Sequence, residues 1–214
     1  FMGETKWDAG TGYLFIRGAV LVSGGGTNLQ ALIDAQNGGI IKSGRIVTVV
    51  SDREGAYALE RAAKAGIDGH SILRKDYAEK ADFDKALVEY LKSKNVDIVV
   101  LAGFLSILGK DFISAYRDRI VNIHPSLIPS FCGDGFYGLK VHQAALDYGV
   151  KVTGATVHLV NEITDGGKIL MQKAVYINDD DTAETLQKRV MQEAEWQILP
   201  QAVEMLCNSI IQGG

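Results

Sequence analysis

Cysteine and proline are scarce in this 214-residue chain, with two of the first and three of the second. Cys132 and Cys207 stand far apart and make no disulfide framework. With no recognisable signal peptide, the expected compartment is a reducing cytoplasm. No run approaches the roughly 18 uninterrupted apolar residues of a membrane helix, so no membrane partner is expected. A basic surplus is missing too: 22 Lys and Arg stand against 26 Asp and Glu, a formal net charge of −4. Proteins that grip phosphate backbones carry the opposite balance, which makes nucleic acid a poor partner. Internal repeats, low-complexity tracts and Pro-, Gly- or Ser-rich linkers are absent. What remains is 47% hydrophobic and 22% charged, the composition of one globular domain that buries a full core.

Residues 1–17 fit no clean period and read as an extension outside the domain, which is expected to span 18–214. From Gly18 the pattern turns regular. Residues 19–22 are an apolar run ending in Ser23, Gly24, Gly25, Gly26, Thr27 and Asn28, after which Leu29, Leu32, Ile33 and Gln36 recur at helical spacing. Residues 46–50 read as a buried strand, 57–65 as a helix closing at Gly66, and 70–72 as a short strand. Phe83, Leu87, Val88 and Leu91 form the next helical stripe, and residues 98–101 another strand. Strand, turn, helix and strand at this spacing predict parallel β-α-β units, and continuous apolarity predicts a sheet covered on both faces. Beyond them, residues 120–124, 153–160 and 169–175 read as strands, 141–148 as a short helix and 182–207 as one long closing helix. The expected fold is α/β: a mostly parallel twisted sheet with helices on both faces, Rossmann-like, with antiparallel additions in the C-terminal half.

Three motifs carry chemistry. Ser23 to Asn28 lies between a strand and a helix, where glycines let backbone N–H groups approach an anion and the helix terminus adds positive dipole. It lacks the GK[ST] ending of a Walker loop and the GxGxxG of dinucleotide sites, and a plain tight turn with an N-cap at Thr27 is the alternative. Asn122 and His124 sit two apart at a strand end, so both project to one face, where open α/β sheets build their sites. A histidine there suits general acid or base work, and an asparagine suits a developing oxyanion; a structural His-Pro turn is the alternative. Asp165, in the sequence Thr164, Asp165, Gly166, Gly167, is either a tight reversal or a carboxylate that stabilises charged His124. His158 reads as a core or supporting histidine and His142 as surface or packing. No histidine or cysteine pair has metal-ligand spacing, so no metal is expected. A GxSxG elbow is missing, so no covalent intermediate is expected either.

Six segments in order resemble the folate-dependent glycinamide ribonucleotide formyltransferases of purine biosynthesis. They are VLVSGGGTNLQ (20–30), VVLAGFLSIL (99–108), NIHPSLIP (122–129), TGATVHLV (153–160), TDGGKIL (164–170) and AEWQILP (194–200). The resemblance runs from Gly18 to Leu206. It implies formyl transfer from 10-formyltetrahydrofolate, as cosubstrate, to the amine of glycinamide ribonucleotide, with Asn122, His124 and Asp165 as the catalytic trio. Gly26, Thr27 and Asn28 match the ribonucleotide phosphate clamp, and Glu195 the acid that holds the ribose hydroxyls. Leu105, Ser106, Ile107, Leu108, Asn161, Glu162, Ile163 and Thr164 match the folate slot. Lys80 stands where the family often has a tail-binding Arg, and Ser106 where another Arg is frequent. Phosphate binding is thereby assigned to residues 18–120, and folate binding and catalysis to 121–214. The implied partners are these small molecules, for a monomer or weak homodimer.

Relatives on the same fold give rival readings. A methionyl-tRNA formyltransferase carries a further RNA-binding domain, for which 214 residues leave no room. A formyltetrahydrofolate hydrolase carries an N-terminal regulatory domain and needs no GGGTN clamp. A sugar-nucleotide formyltransferase, or a non-catalytic folate-binding module, remains compatible with the same pattern.

Overall fold

The computed structural model describes residues 6–8 and 13–213. Its centre is a sheet in the order β4-β3-β2-β5-β6-β7-β8. The strands are β2 (Tyr13–Val22), β3 (Gly44–Ser51), β4 (Asp68–Ser71), β5 (Ile98–Leu101), β6 (Ile120–His124), β7 (Val152–Leu159) and β8 (Ile169–Tyr176), while β1 (Lys6–Asp8) pairs antiparallel with the start of β2. Pairings from β4 through β6 are parallel; β7 runs antiparallel to β6, and β8 to β7. This is the expected α/β sheet, including its antiparallel additions.

Helices cover both faces. On one side α1 (Thr27–Asn37), α2 (Tyr57–Lys64), α6 (Ala183–Val190) and α7 (Trp196–Gly213) pack on Val20, Val49, Val100 and Val157. On the other, α3 (Lys80–Ser93) and α4 (Lys110–Ala115) pack Phe83, Leu87 and Phe112 on Ala19, Val99 and Ile120. Alternation along β6 sends Val121 and Ile123 into the first core and leaves Ile120, Asn122 and His124 on the second face. Cross-strand pairing sets Asn122 opposite His158 and His124 opposite Thr156, so that face gathers polar side chains over β6 and β7. α5 (Leu139–Tyr148) closes the loop after β6.

Four features differ from the sequence reading. β2 starts at Tyr13 rather than near Gly18: Ile16 is in the core, paired with Gly44. Arg17 interrupts the apolar run inside the strand, just before the pairing with β5 begins, taking the Asp97 carboxylate on its backbone N–H and the Lys94 carbonyl on its guanidinium. The rest of that stretch, residues 1–5 and 9–12, lies outside the described residues. Helix α4, six residues long, escaped detection because one turn and a half sets no period. Gly26, not Thr27, holds the N-cap position of α1, in left-handed conformation with no side-chain cap. The long closing helix is divided: Thr182 caps α6 through a reciprocal pair with Thr185, and a π turn, Met191–Glu195, separates α6 from α7.

Candidate active site

The turn after β2 is built to stay open. Gly26 has φ +72, and a Cβ there would come within 2.7 Å of the Ala58 Cβ, so only glycine fits. Because no side chain caps α1, its first-turn N–H groups face outward at the positive end of an eleven-residue helix. Arg61 fixes the turn, donating from Nε to the Gly25 carbonyl at 2.8 Å. Asn28 donates from Nδ2 to Glu195 Oε2 at 2.7 Å. Glu195, brought to the site by the π turn, is 6% exposed; burial pushes its carboxyl up to about 7, against the opposing Asn28 bond. Gly26, Thr27, Asn28 and Glu195 therefore border one place.

At the end of β6, His124 is 4% exposed with acceptors on both ring nitrogens. Its Nδ1 lies 3.5 Å from Asp165 Oδ2, and its Nε2 2.9 Å from the Phe131 carbonyl. A doubly protonated ring satisfies both. Asp165 also accepts the Gly133 N–H at 2.9 Å and stands 3.6 Å from His158 Nε2. Burial raises its pKa, but the His158, Gly133 and His124 contacts outweigh that and hold it below the ordinary carboxylate value. His158 Nδ1 lies 3.0 Å from the Leu159 carbonyl, and its Nε2 faces both Asp165 and Asn122, whose Nδ2 is 3.1 Å away. Since the amide carries two hydrogens, Asn122 keeps one for a reacting oxygen. Asn122, His124 and Asp165 are thus joined, with His158 between two of them. Phe131 and Asp165 both adopt positive φ, +50 and +53, a conformation costly for side-chain-bearing residues and concentrated at functional sites.

The loop after β5 runs beside this centre. Leu105 donates its N–H to Ser23 Oγ at 2.8 Å, and Ser106 its hydroxyl to Asp52 at 2.5 Å. Leu105 and Ile107 are exposed while Leu108 is buried. Asn161 to Thr164 form an exposed turn: Asn161 Oδ1 accepts the Ile163 N–H, Thr164 donates to Asp134, and Glu162 lies 3.9 Å from Arg117. A Cβ at Gly167 would collide with the Leu159 carbonyl, which is why this turn folds back so tightly. Lys80 sits at the start of α3, its Cε close to Gly109; burial raises the pKa of nearby Asp84, opposed by the Gly109 N–H and then by the Lys80 charge. His142 is wholly buried, and burial, then the His124 charge, pushes it down to about 4.

Sequence reasoning missed the groups that hold the trio. The Phe131 carbonyl and Gly133 amide are backbone, which residue identity does not announce. The role of His158 follows from its register opposite Asn122, which pairing alone reveals.

Comparison with known proteins places this geometry in context. Residues 16–203 match the formyl transferase family. The chain is 41% identical over 186 residues to the phosphoribosylglycinamide formyltransferase of Haemophilus influenzae, across 87% of this chain and 84% of that protein. It is 43% identical over 198 residues to the trifunctional purine biosynthetic protein adenosine-3 of Bos taurus, across 92% of this chain. That alignment takes in only 19% of the longer protein, so this chain spans about a fifth of it. The crystal structure of glycinamide ribonucleotide transformylase 1 from Symbiobacterium toebii superposes with a TM-score of 0.86 at 42% identity, covering 91% of this chain and 89% of that one.

Proposed function

The chain belongs to the formyl transferase family, and on that footing we propose that it transfers the formyl group of 10-formyltetrahydrofolate to the amine of N1-(5-phospho-D-ribosyl)glycinamide, in purine biosynthesis. The observation that carries this reading is the contiguous set Asn122, His158, Asp165 and His124, joined by one hydrogen bond and two ion-pair contacts, at the same end of the sheet as an uncapped helix terminus. Gly26, Thr27 and Asn28 offer the phosphate backbone N–H groups and dipole, and Glu195 offers a carboxyl to the ribose hydroxyls. The acceptor amine attacks the formyl carbon directly. Asn122 donates its second amide hydrogen to the oxygen on which charge develops, and His124, charged against Asp165, stabilises the same oxygen. His124 then assists proton transfer to the departing folate nitrogen. Exposed Leu105, Ile107 and Ile163 supply apolar surface for the pterin end of the folate. We assign the enzyme two cosubstrates and no metal, and place it in the cytoplasm as a monomer or weak homodimer. Both cysteines are free, and among the described residues no helix is long and apolar enough to cross a membrane.

The test is consumption of 10-formyltetrahydrofolate with and without glycinamide ribonucleotide. Turnover that depends on the ribonucleotide is the expected result. Equal turnover without it would make the protein a hydrolase, and none in either case would move the search to amino-sugar acceptors.

A further inference from the structure

Helix α2 holds both carbonyls of the glycine turn. The Gly24 carbonyl accepts the Ala58 N–H at 3.1 Å, and the Gly25 carbonyl accepts Arg61 Nε at 2.8 Å. In a trans peptide the carbonyl and the N–H that follows it point in opposite directions. Both bonds therefore turn the N–H groups of Gly25 and Gly26 away from α2, and among the described residues neither finds a backbone acceptor. With Gly26 left-handed, these two N–H groups continue the free ones at the start of α1 as a single concave run of donors. Arg61 also reaches along that run, donating from Nη1 to Gln30 Oε1 at 3.1 Å. Its guanidinium lies 5.0 Å from the Tyr57 ring centre, and among the described residues no carboxylate pairs with it.

Peptides between glycines rotate at little steric cost. Rotating the one between Gly25 and Gly26 would set a carbonyl where an anion needs a donor. Ala58 guards the preceding peptide with its backbone, but among the described residues only Arg61 bonds a carbonyl of this turn with a side chain. Resting on the ribonucleotide reading above, we propose that Arg61 is a positioning residue for the phosphate of the substrate. It acts through the Gly25–Gly26 peptide, by a hydrogen bond and not by its charge. The atom that decides is Nε. A glutamine places an amide nitrogen at the same point along its side chain without the charge, whereas a lysine keeps the charge and carries its nitrogen one atom further out.

Calorimetric titration with glycinamide ribonucleotide and with its phosphate-free riboside isolates the effect. The wild type should bind the ribonucleotide roughly a hundredfold more tightly, the worth of two hydrogen bonds to a charged group. Arg61→Met, similar in length and without a donor, should cut that preference about tenfold and leave riboside binding as it was. Arg61→Gln should keep the preference within about threefold of wild type, and Arg61→Lys should fall with Arg61→Met. A lysine variant that outperforms the glutamine variant overturns the inference, because charge would then be what acts. An unchanged preference in Arg61→Met overturns it as well, as does an equal loss for ribonucleotide and riboside, the mark of a purely structural role. Should Arg61→Met unfold, the comparison of glutamine with lysine decides alone. A wild type indifferent to the phosphate overturns both this inference and the ribonucleotide reading. A preference lost in Arg61→Met, in a protein that transfers no formyl group to the ribonucleotide, keeps this inference and loses only the acceptor assignment.

Discussion

Replacing Glu195 by Gln separates what this carboxyl does for a ligand from what it does to the fold. The side chain is buried at 6% exposure, with one hydrogen bond from Asn28, and burial lifts its pKa from 4.5 to about 7. The folded protein therefore binds a proton more tightly than the unfolded chain, and stability falls as pH rises between those two values. At about 1.4 kcal/mol per pH unit, the gap between 4.5 and about 7 removes about 3 kcal/mol by pH 8. Glutamine keeps the shape and an oxygen for Asn28 without the ionisation. Urea unfolding of both proteins at about pH 5 and pH 8 should find the variant's margin over wild type growing by roughly 2.5 kcal/mol. Every other titrating group is common to the pair and cancels. A margin that stays flat with pH would refute the argument from burial. If Glu195 also meets the ribose, the more stable variant should bind the ribonucleotide roughly tenfold or more weakly; unchanged affinity would remove it from the site.

Three other substitutions probe the same chain of reasoning. His124→Ala should lower the transfer rate by roughly a hundred- to ten-thousandfold while a cooperative unfolding transition persists, and wild-type turnover would defeat the mechanism. Asp165→Asn should lower the rate as well. Because the native carboxylate has a depressed pKa, its contribution to stability is present at neutral pH and lost as pH falls through that pKa, so the variant should lose less stability on acidification. Gly26→Ala should cost about 2–4 kcal/mol in urea unfolding, from the +72° φ and the contact with Ala58, and should weaken phosphate-dependent binding. A variant as stable as wild type would mean the turn yields easily.

Much of the sheet was legible because buried parallel strands such as Ile98–Leu101 are apolar without interruption. The first strand was cut short because Arg17 and Gly18 break its run, although both lie within it. Asn122, His124 and Asp165 were legible as a motif, since strand geometry puts residues two apart on one face. The distances that join them were not, because they depend on Gly133, Phe131 and the antiparallel register of β7. The pairing of Asp52 with Ser106 spans 54 positions, and no local pattern encodes it.

The π turn before α7 has a consequence for how this chain can change. Five residues there occupy what an α-helix would fill with fewer, so α6 and α7 are rotated relative to one another by one residue's worth of turn, about 100°. Removing a residue from this stretch would regularise the helix, and would swing either Glu195 away from Asn28 or the apolar stripe of α7 away from the sheet. Substitutions there can be absorbed one side chain at a time, whereas insertions and deletions act on the whole C-terminal segment together. The length of five residues, more than their identity, is what variation in this chain has to respect.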